Sequence, residues 1–208
     1  MIKVKICGIT DPQMAIDACM AGADAIGLVF YPSSSRYVDP VCAASIAKAM
    51  PPFVQRVGLF VNAHRDEVLS ILHQVELDLL QFHGDESAEY CDSFGKAYIK
   101  VIAMKSGTDV RMRMAEYPNA KGFLLDAYHP EQPGGTGQAF NWAEFPVDAD
   151  KPLILAGGLT PDNVAEAIQS CQPYAVDVSG GVEASKGKKS IERIRAFIRN
   201  AKSIEVIS

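Results

Sequence analysis

The sequence predicts an α/β protein in which eight βα units close into a single-domain, parallel (βα)8 barrel (a TIM barrel) over residues 1–208. Short apolar runs, rich in β-branched or aromatic residues, recur eight times at intervals of about 20 to 30 residues, the length of a strand, a helix and two loops. Helical patterns separate these runs, and glycines follow the seventh and eighth runs. Glycine loops at those two places are typical of barrels that bind phosphate.

The eight predicted strands begin near Ile2, Ala25, Val54, Asp78, Tyr98, Gly122, Pro152 and Ala175. Strands that alternate with helices form parallel sheets, which are either open and doubly wound or closed into a barrel. Doubly wound domains more often contain five or six strands, and no Gly-x-Gly-x-x-Gly motif follows the first strand here. We therefore favour the barrel.

Helices are predicted where apolar residues recur at spacings of three and four. Such stripes comprise Val68, Leu72 and Val75; Val164, Ala167, Ile168 and Cys171; and Ile191, Ile194 and Ile198. Thr10, with Gln13 three residues later, predicts the N-cap of the first helix. Pro161, after Thr160, predicts the first turn of the helix that follows strand seven.

Composition excludes several classes of function. The 20 Lys and Arg residues against 25 Asp and Glu give a net charge of −5, unlike the basic footprint of a nucleic-acid or anionic-membrane binder. No apolar run approaches the ~20 residues of a membrane span, and the first residues alternate like a strand and lack the long apolar core expected of a signal peptide. Its five cysteines are scattered, without Cys-x-x-Cys, so neither a disulfide framework nor a zinc knuckle is expected. We expect a cytoplasmic protein.

A phosphate site is predicted in the loops after strands seven and eight. Gly157 and Gly158 follow the seventh strand, and Ser179, Gly180 and Gly181 follow the eighth. Without Cβ atoms, backbone N–H groups can approach an anion closely. Either loop alone is equally well explained as a tight turn; two such loops side by side favour phosphate binding.

Two residues at strand ends can move protons. Cys7 ends strand one, where it is either a small buried hydrophobe or a general base whose thiolate is stabilised by neighbours. Asp126 ends strand six and either caps a turn or donates a proton as a general acid. Strands six, seven, eight and one are consecutive around a closed barrel, so a phosphate held by seven and eight lies between acid and base.

Four further side chains are candidates for binding substrate. Asp177 lies within strand eight, where a buried carboxylate requires a partner. Arg36, in the loop after strand two, is either a solvated charge or a clamp for a substrate carboxylate. Gln81 and His83 end strand four, where they either line the pocket or satisfy one another.

No metal site is expected. His64, His73 and His129 lack the spacing of metal ligands. The run Gly134-Gly135-Thr136-Gly137, which follows strand six, is consistent with a loop that covers a bound ligand.

The chain resembles the phosphoribosylanthranilate isomerase family of tryptophan biosynthesis along essentially its whole length. The matching segments are 3–10 (KVKICGIT), 22–27 (GADAIG), 30–37 (FYPSSSRY), 57–62 (VGLFVN), 80–84 (LQFHG), 125–126 (LD), 134–137 (GGTG), 156–159 (AGGL), 177–179 (DVS) and 181–183 (GVE). The first of these is quite specific. This chain departs from the family pattern at two positions. It has Gly180 where the family commonly has a second serine, and Ser190 where the family usually has aspartate.

The resemblance implies a cofactor-free (βα)8 barrel, monomeric or homodimeric, whose small-molecule substrate is N-(5-phosphoribosyl)anthranilate. An Amadori rearrangement would convert it to 1-(2-carboxyphenylamino)-1-deoxyribulose 5-phosphate. Asp126 would protonate the furanose ring oxygen, Cys7 would take the proton from C2, and Arg36 would bind the anthranilate carboxylate. The glycine loops would hold the phosphate.

Three alternatives remain at this stage. The related histidine-pathway isomerase performs the same rearrangement on a larger substrate, but is expected to carry aspartate where Cys7 stands. A non-catalytic sugar-phosphate sensor would keep the phosphate loops and lose the acid or the base. In a structural alternative, Cys7 and Asp126 form a buried donor–acceptor pair.

Overall fold

The computed structural model describes residues 1–105, 107–127, 142–146 and 148–204. Its barrel strands are β1 (Lys3–Cys7), β2 (Ala25–Val29), β3 (Gln55–Phe60), β4 (Leu79–Phe82), β5 (Tyr98–Met104), β6 (Phe123–Ala127), β7 (Leu153–Leu155) and β8 (Ala175–Val178). They pair in parallel in chain order, and β8 pairs with β1 to close the barrel. The predicted fold is confirmed, and every strand begins within about one residue of its expected position.

Helices surround the barrel. They are α1 (Pro12–Met20), α2 (Pro40–Ala49), α3 (Arg65–Gln74), α4 (Ala88–Asp92), α5 (Val110–Ala115), α6 (Val164–Cys171) and α7 (Ile191–Lys202). Short 3-10 turns occupy Trp142–Glu144 and Gly180–Val182, and a small antiparallel hairpin, β9 (Glu183–Ser185) with β10 (Lys188–Lys189), precedes α7. In the described ranges, no helix has the length and apolar character needed to cross a membrane.

The predicted helical stripes are largely confirmed. All four residues of the α6 stripe are buried. In α3 the buried face is formed by Val68 and Ile71, whereas Leu72 is only half-buried and Val75 lies just beyond the helix. The difference arises because α3 ends one residue before Val75, where the chain turns back into the core.

Both predicted helix starts are wrong in detail. The N-cap of α1 is Asp11, not Thr10, and its carboxylate accepts the backbone N–H of Met14 at 2.8 Å. Since Pro12 fills the first helical position and has no N–H to donate, a cap directly before it is the better placed. Helix α6 begins at Val164 rather than Pro161, because the intervening residues form a turn.

Successive side chains of a barrel strand lie alternately in two environments, the core under the helices and the lumen of the barrel. Val4 and Ile6 of β1 belong to the main hydrophobic core between barrel and helices, so Lys5 and Cys7 face the lumen. Two smaller apolar clusters lie on the lumen side, one of them formed by Cys7, Val29 and Leu59. Polar residues on the lumen face are therefore held by an apolar wall.

One buried ion pair shapes the rim of the barrel near β4. The Lys100 ammonium contacts Glu86 Oε2 at 3.0 Å and donates to the carbonyl of Gly84 at 2.5 Å. Glu86 in turn accepts the backbone N–H groups of Asn62 and Gly84. Both charged side chains are almost fully buried, so this pair fixes the loops that follow β3 and β4.

Replacing Lys100 by Met should therefore lower the free energy of unfolding by about 3–5 kcal/mol, because the Glu86 charge would remain buried without its partner. Urea unfolding measures the change. The matched control is Arg113→Met, which breaks an exposed ion pair with Glu116 and should cost less than about 1 kcal/mol. Equal costs for the two variants would show that the buried pair does not hold these loops.

Candidate active site

The lumen side chains of β1 and β8 meet across the seam where the barrel closes. Lys5 is paired in register with Asp177, and its ammonium lies 2.7 Å from Asp177 Oδ1. Both side chains are about nine-tenths buried. Burial acts to lower the pKa of Lys5, but the charges of Asp177 and Cys7 and the hydrogen bonds of Lys5 to both together raise it above its ordinary value. Lys5 is thus a permanent cation inside the barrel.

The Cys7 thiol lies beside this pair and over Gly27 of β2. A Cβ atom at position 27 would stand 2.7 Å from Cys7 Sγ, so glycine leaves the thiol its place. Burial raises the pKa of Cys7 above its ordinary value, while the charges of Lys5 and Lys189 act to lower it. The thiolate, which is the form that can accept a proton, therefore depends on these two lysines.

Asp126 projects from β6 and is held by His83 rather than by Cys7. His83 Nε2 lies 3.3 Å from Asp126 Oδ2, and its other ring nitrogen lies 3.1 Å from the Gln81 amide nitrogen. If the Gln81 amide donates to Nδ1, the His83 hydrogen is on Nε2 and points at Asp126. Asp126 Oδ1 then remains available to a substrate. The alternative of a Cys7–Asp126 pair is wrong: Asp126 contacts His83, and the charged groups that act on the Cys7 thiol are Lys5, Asp177 and Lys189.

The Gln81 side chain is fully buried, and its Oε1 has no hydrogen-bond partner among the described residues. A half-turn of the Gln81 amide would place its Oε1 against a protonated Nδ1 of His83. In that tautomer, Nε2 of His83 is a hydrogen-bond acceptor. Gln81 can therefore meet either tautomer of His83. Of the two sequence hypotheses for these residues, mutual hydrogen bonding is what the structure contains.

Arg36 lies across the residue that follows Cys7. Its aliphatic stem packs on Gly8, where an added Cβ would come within 2.7 Å of Arg36 Cδ. Gly8 also has a φ of +77°, which glycine adopts without strain. The Arg36 side chain therefore lies beside the residue that follows Cys7, and it is not freely solvated: it is 18% exposed.

A buried carboxylate, Glu183 of β9, organises the cations around Cys7. Its Oε1 accepts from Arg36 Nε at 2.6 Å and from Lys189 Nζ at 2.9 Å. Its Oε2 accepts from Arg36 Nη2 and from the Gly187 backbone N–H, both at 3.1 Å. Burial would raise the pKa of Glu183, but the bond from Arg36 and the charge of Lys189 lower it to about 2. Glu183 is therefore ionised at neutral pH.

The two predicted phosphate loops lie side by side. Gly157 and Gly158 have φ values of +84° and +65°, and Gly181 approaches the Leu159 carbonyl so closely that any Cβ would collide with it. The carbonyl and hydroxyl oxygens of Ser179 both accept from Lys189 Nζ. Glycine is thus needed for the loop geometry itself.

The two departures from the family pattern lie at the start of α7 and in the turn after β8. Ser190 is the N-cap of α7, and its hydroxyl accepts the Arg193 N–H, a role that serine and aspartate share. Gly180 begins the 3-10 turn that follows β8. Neither change disturbs the seam at Lys5 and Asp177.

The structure brings the predicted residues Cys7, Asp126, Asp177 and Arg36 to one end of the barrel. Sequence reasoning missed Lys5, Glu183 and Lys189. Lys5 could have been found from alternation, since it shares the inner face with Cys7 two residues on; the other two depend on a hairpin that has no comparable pattern. The run 134–137 and His129 lie outside the described residues. Within those residues, no group of three or more His, Cys, Asp or Glu side chains could hold a metal ion.

Known proteins resemble this chain in both sequence and fold. Residues 4–200 match the family model of N-(5'phosphoribosyl)anthranilate (PRA) isomerase. The N-(5'-phosphoribosyl)anthranilate isomerase of Pseudomonas aeruginosa is 57% identical over 202 residues, which are 97% of this chain and 96% of that protein. The crystal structure of phosphoribosyl anthranilate isomerase from Thermotoga maritima matches with a TM-score of 0.89 at 42% identity, covering 98% of this chain and all of that one.

A second crystal structure, of phosphoribosyl anthranilate isomerase in complex with reduced 1-(o-carboxyphenylamino)-1-deoxyribulose 5-phosphate, matches with a TM-score of 0.85. It is 40% identical to this chain, of which it covers 98%, and the match spans all of its own chain.

The low pKa of Glu183 predicts how stability depends on pH. Because the folded pKa is about 2 and the ordinary value is 4.5, Glu183 stabilises the fold fully above pH 4.5 and loses that effect as the pH falls towards 2. Urea unfolding of wild type and Glu183→Gln should therefore differ most at pH 6 and progressively less at pH 4 and pH 3. A difference independent of pH would mean that the Glu183 charge does not contribute to stability.

Proposed function

The chain belongs to the N-(5'-phosphoribosyl)anthranilate isomerase family, and from that premise we propose how its own residues carry out the reaction. It is an isomerase of tryptophan biosynthesis, and it converts N-(5-phosphoribosyl)anthranilate to 1-(2-carboxyphenylamino)-1-deoxyribulose 5-phosphate by an Amadori rearrangement. This membership decides against the histidine-pathway and sensor alternatives.

The observation that carries the assignment of roles is the order of the strands. Asp126 on β6 and Cys7 on β1 flank the two strands, β7 and β8, whose loops would hold the phosphate. A ribose anchored through its 5-phosphate at Gly157, Gly158, Ser179, Gly180 and Gly181 lies between an acid on one side and a base on the other. That arrangement suits proton transfer at a sugar carbon.

Asp126 is the general acid of the first step. Its proton goes to the furanose ring oxygen as the bond between that oxygen and C1 breaks, and the lone pair of the anthranilate nitrogen forms the C=N bond of a protonated Schiff base. His83 anchors one oxygen of Asp126, so the other oxygen keeps a fixed direction towards the lumen. Gln81 holds His83 in turn; the partly exposed His83 lines the substrate pocket, and the fully buried Gln81 supports it from behind.

Cys7 is the general base of the second step. Its thiolate takes the proton from C2, and the electron pair of that C–H bond moves into a C1=C2 bond while the C=N pair returns to nitrogen. The resulting enolamine gains a proton at C1 and loses one from its C2 hydroxyl, which gives the ketone. Lys5 stabilises the thiolate, and Asp177 holds Lys5 through Oδ1, with Oδ2 directed to a substrate hydroxyl.

Arg36 binds the carboxylate of the anthranilate ring. It follows β2, the strand next to Cys7 on the side away from the phosphate loops. A substrate anchored by its phosphate at one end would therefore reach Arg36 with the other. Two cations, Arg36 and Lys189, against one anion, Glu183, leave this part of the site positive, which suits a substrate carrying both a phosphate and a carboxylate.

The proposal extends to the domain organisation, location and assembly of the protein. We propose that residues 1–208 form a single domain, that the protein is cytoplasmic and that it acts as a monomer or a homodimer. The described site residues all belong to one barrel, so activity does not require a second copy. Light scattering should give the mass of one or two chains, with activity per chain independent of dilution; a larger assembly would contradict this proposal.

The roles of acid and base are tested with freshly generated phosphoribosylanthranilate, whose conversion is followed by the fluorescence of its anthranilate ring. Cys7→Ala and Asp126→Asn should each lower kcat by about 10²- to 10⁴-fold, as expected for loss of a general acid or base. Matched controls are Cys19→Ala, in the buried face of α1, and Asp66→Asn, at the exposed start of α3.

Thermal melting of each variant separates loss of chemistry from loss of structure. Folded, nearly inactive Cys7 and Asp126 variants, with active controls, would support both roles. Near-normal kcat in either variant would overturn the role of that residue, while leaving the membership of the family intact.

A further inference from the structure

Arg36 meets Glu183 through one edge of its guanidinium group only. Nε and Nη2 both donate to Glu183, at 2.6 Å and 3.1 Å, in the side-on bidentate arrangement. Within the part of the chain that the structure describes, Nη1 and the outer N–H of Nη2 have no acceptor. These two donors form the second edge of the group, which has the spacing of a carboxylate.

Glu183 is itself immobilised. Besides Arg36 it accepts from Lys189 and from the Gly187 backbone, so four donors hold its two oxygens. Gly187 lies at the turn of the hairpin with a φ of +81°, and an added Cβ would stand 2.6 Å from the Ser35 carbonyl. The hairpin is thus packed directly against the loop that carries Arg36, and Glu183 cannot swing away from it.

The same group of contacts extends to the phosphate loop. Lys189 Nζ, which holds Glu183, also donates to the carbonyl and hydroxyl of Ser179 at 3.1 Å and 3.2 Å. A continuous series therefore runs from Ser179 through Lys189 and Glu183 to Arg36. Its two ends are the proposed phosphate loop and the proposed carboxylate clamp, so it sets the distance between them.

We propose that Glu183 is a specificity-determining positioning residue, which fixes the outer edge of Arg36 so that the enzyme selects an arylamine bearing a carboxylate next to the nitrogen. This inference rests on the proposed role of Arg36 in binding substrate. Glu183 acts through Arg36 and takes no part in the proton transfers. It determines which phosphoribosyl amines are accepted.

A purely electrostatic role for Glu183 makes the opposite prediction. If Glu183 only offset the charges of Arg36 and Lys189, its removal would leave the site more positive and tighten the binding of a carboxylate. If Glu183 directs Arg36, removing it releases the guanidinium group and weakens that binding. The sign of the change therefore separates charge balance from positioning.

The test compares two substrates, phosphoribosylanthranilate and the corresponding compound made from aniline, which lacks the carboxylate. Each is assayed with wild type, Glu183→Gln, Glu183→Asp and Arg36→Met, with product separated by chromatography. Glu183→Gln places an amide donor against other donors, and Glu183→Asp keeps the charge but is one methylene too short to reach Arg36. The control is Glu116→Gln, whose partner Arg113 is exposed to solvent.

For phosphoribosylanthranilate, both Glu183 variants should raise KM at least about tenfold with kcat nearly unchanged, the loss expected for a charged hydrogen bond. For the aniline compound, neither variant should change KM, because no carboxylate is there to bind. Arg36→Met should show the same pattern, and combining it with Glu183→Gln should add nothing further. Glu116→Gln should behave as wild type with both substrates.

Each other result overturns a definite claim. Equal losses with both substrates would mean that Glu183 merely supports the fold, and a lower KM for phosphoribosylanthranilate would mean that it only balances charge. If Arg36→Met removes the preference for the carboxylate and the Glu183 variants keep it, this inference fails and the role of Arg36 stands. If wild type itself shows no preference, the proposed role of Arg36 fails first.

Discussion

Closure of the barrel between the first and last strands is the constraint on which the site depends. The pairing of β8 with β1 places Lys5 opposite Asp177, and strand alternation then turns Cys7 into the same lumen. A buried ion pair is weak evidence for stability, because the cost of removing two charges from water is comparable to their attraction. The better account of Lys5 and Asp177 is chemical: Asp177 keeps Lys5 charged, and that cation partly offsets the burial that raises the pKa of the Cys7 thiol.

Opposite charges alternate along the rim beyond that seam. Arg36, Glu183 and Lys189 form a second group in which each charge is satisfied by its neighbour. The chain as a whole carries a net charge of −5, yet this group contributes a net positive charge where a doubly anionic substrate would bind. Because the charge of this group differs from the net charge of the chain, the composition argues against nucleic-acid binding but does not argue against binding of a small anionic ligand.

The sequence was sufficient for the fold and for the residues that end strands, for physical reasons. Parallel strands buried on both faces are apolar along their length, so a polar residue such as Asp126 or Asp177 is conspicuous. The order of the strands around the barrel followed from the closure of the barrel alone. Glu183 and Lys189 could not be predicted from pattern, because their importance comes from the packing of the hairpin β9–β10 against a loop about 150 residues away, a tertiary contact that periodicity does not encode. The observed helix starts differ from the predicted ones for a simpler reason: several residues near each helix terminus are able to cap it.

The Lys5–Asp177 contact also affects the protein while its chain is being synthesised and folded. Its two residues are 172 positions apart, so it can form only late in synthesis, and contacts of such long sequence separation slow folding. Cys7 is synthesised before β8 and before Lys189, both of which lie far along the chain from it. Until the final strand docks, the thiol remains open to water and oxidants with the reactivity of an ordinary cysteine. The growing chain is therefore more vulnerable to oxidative damage at this position than the finished protein, in which the barrel wall shields the sulfur.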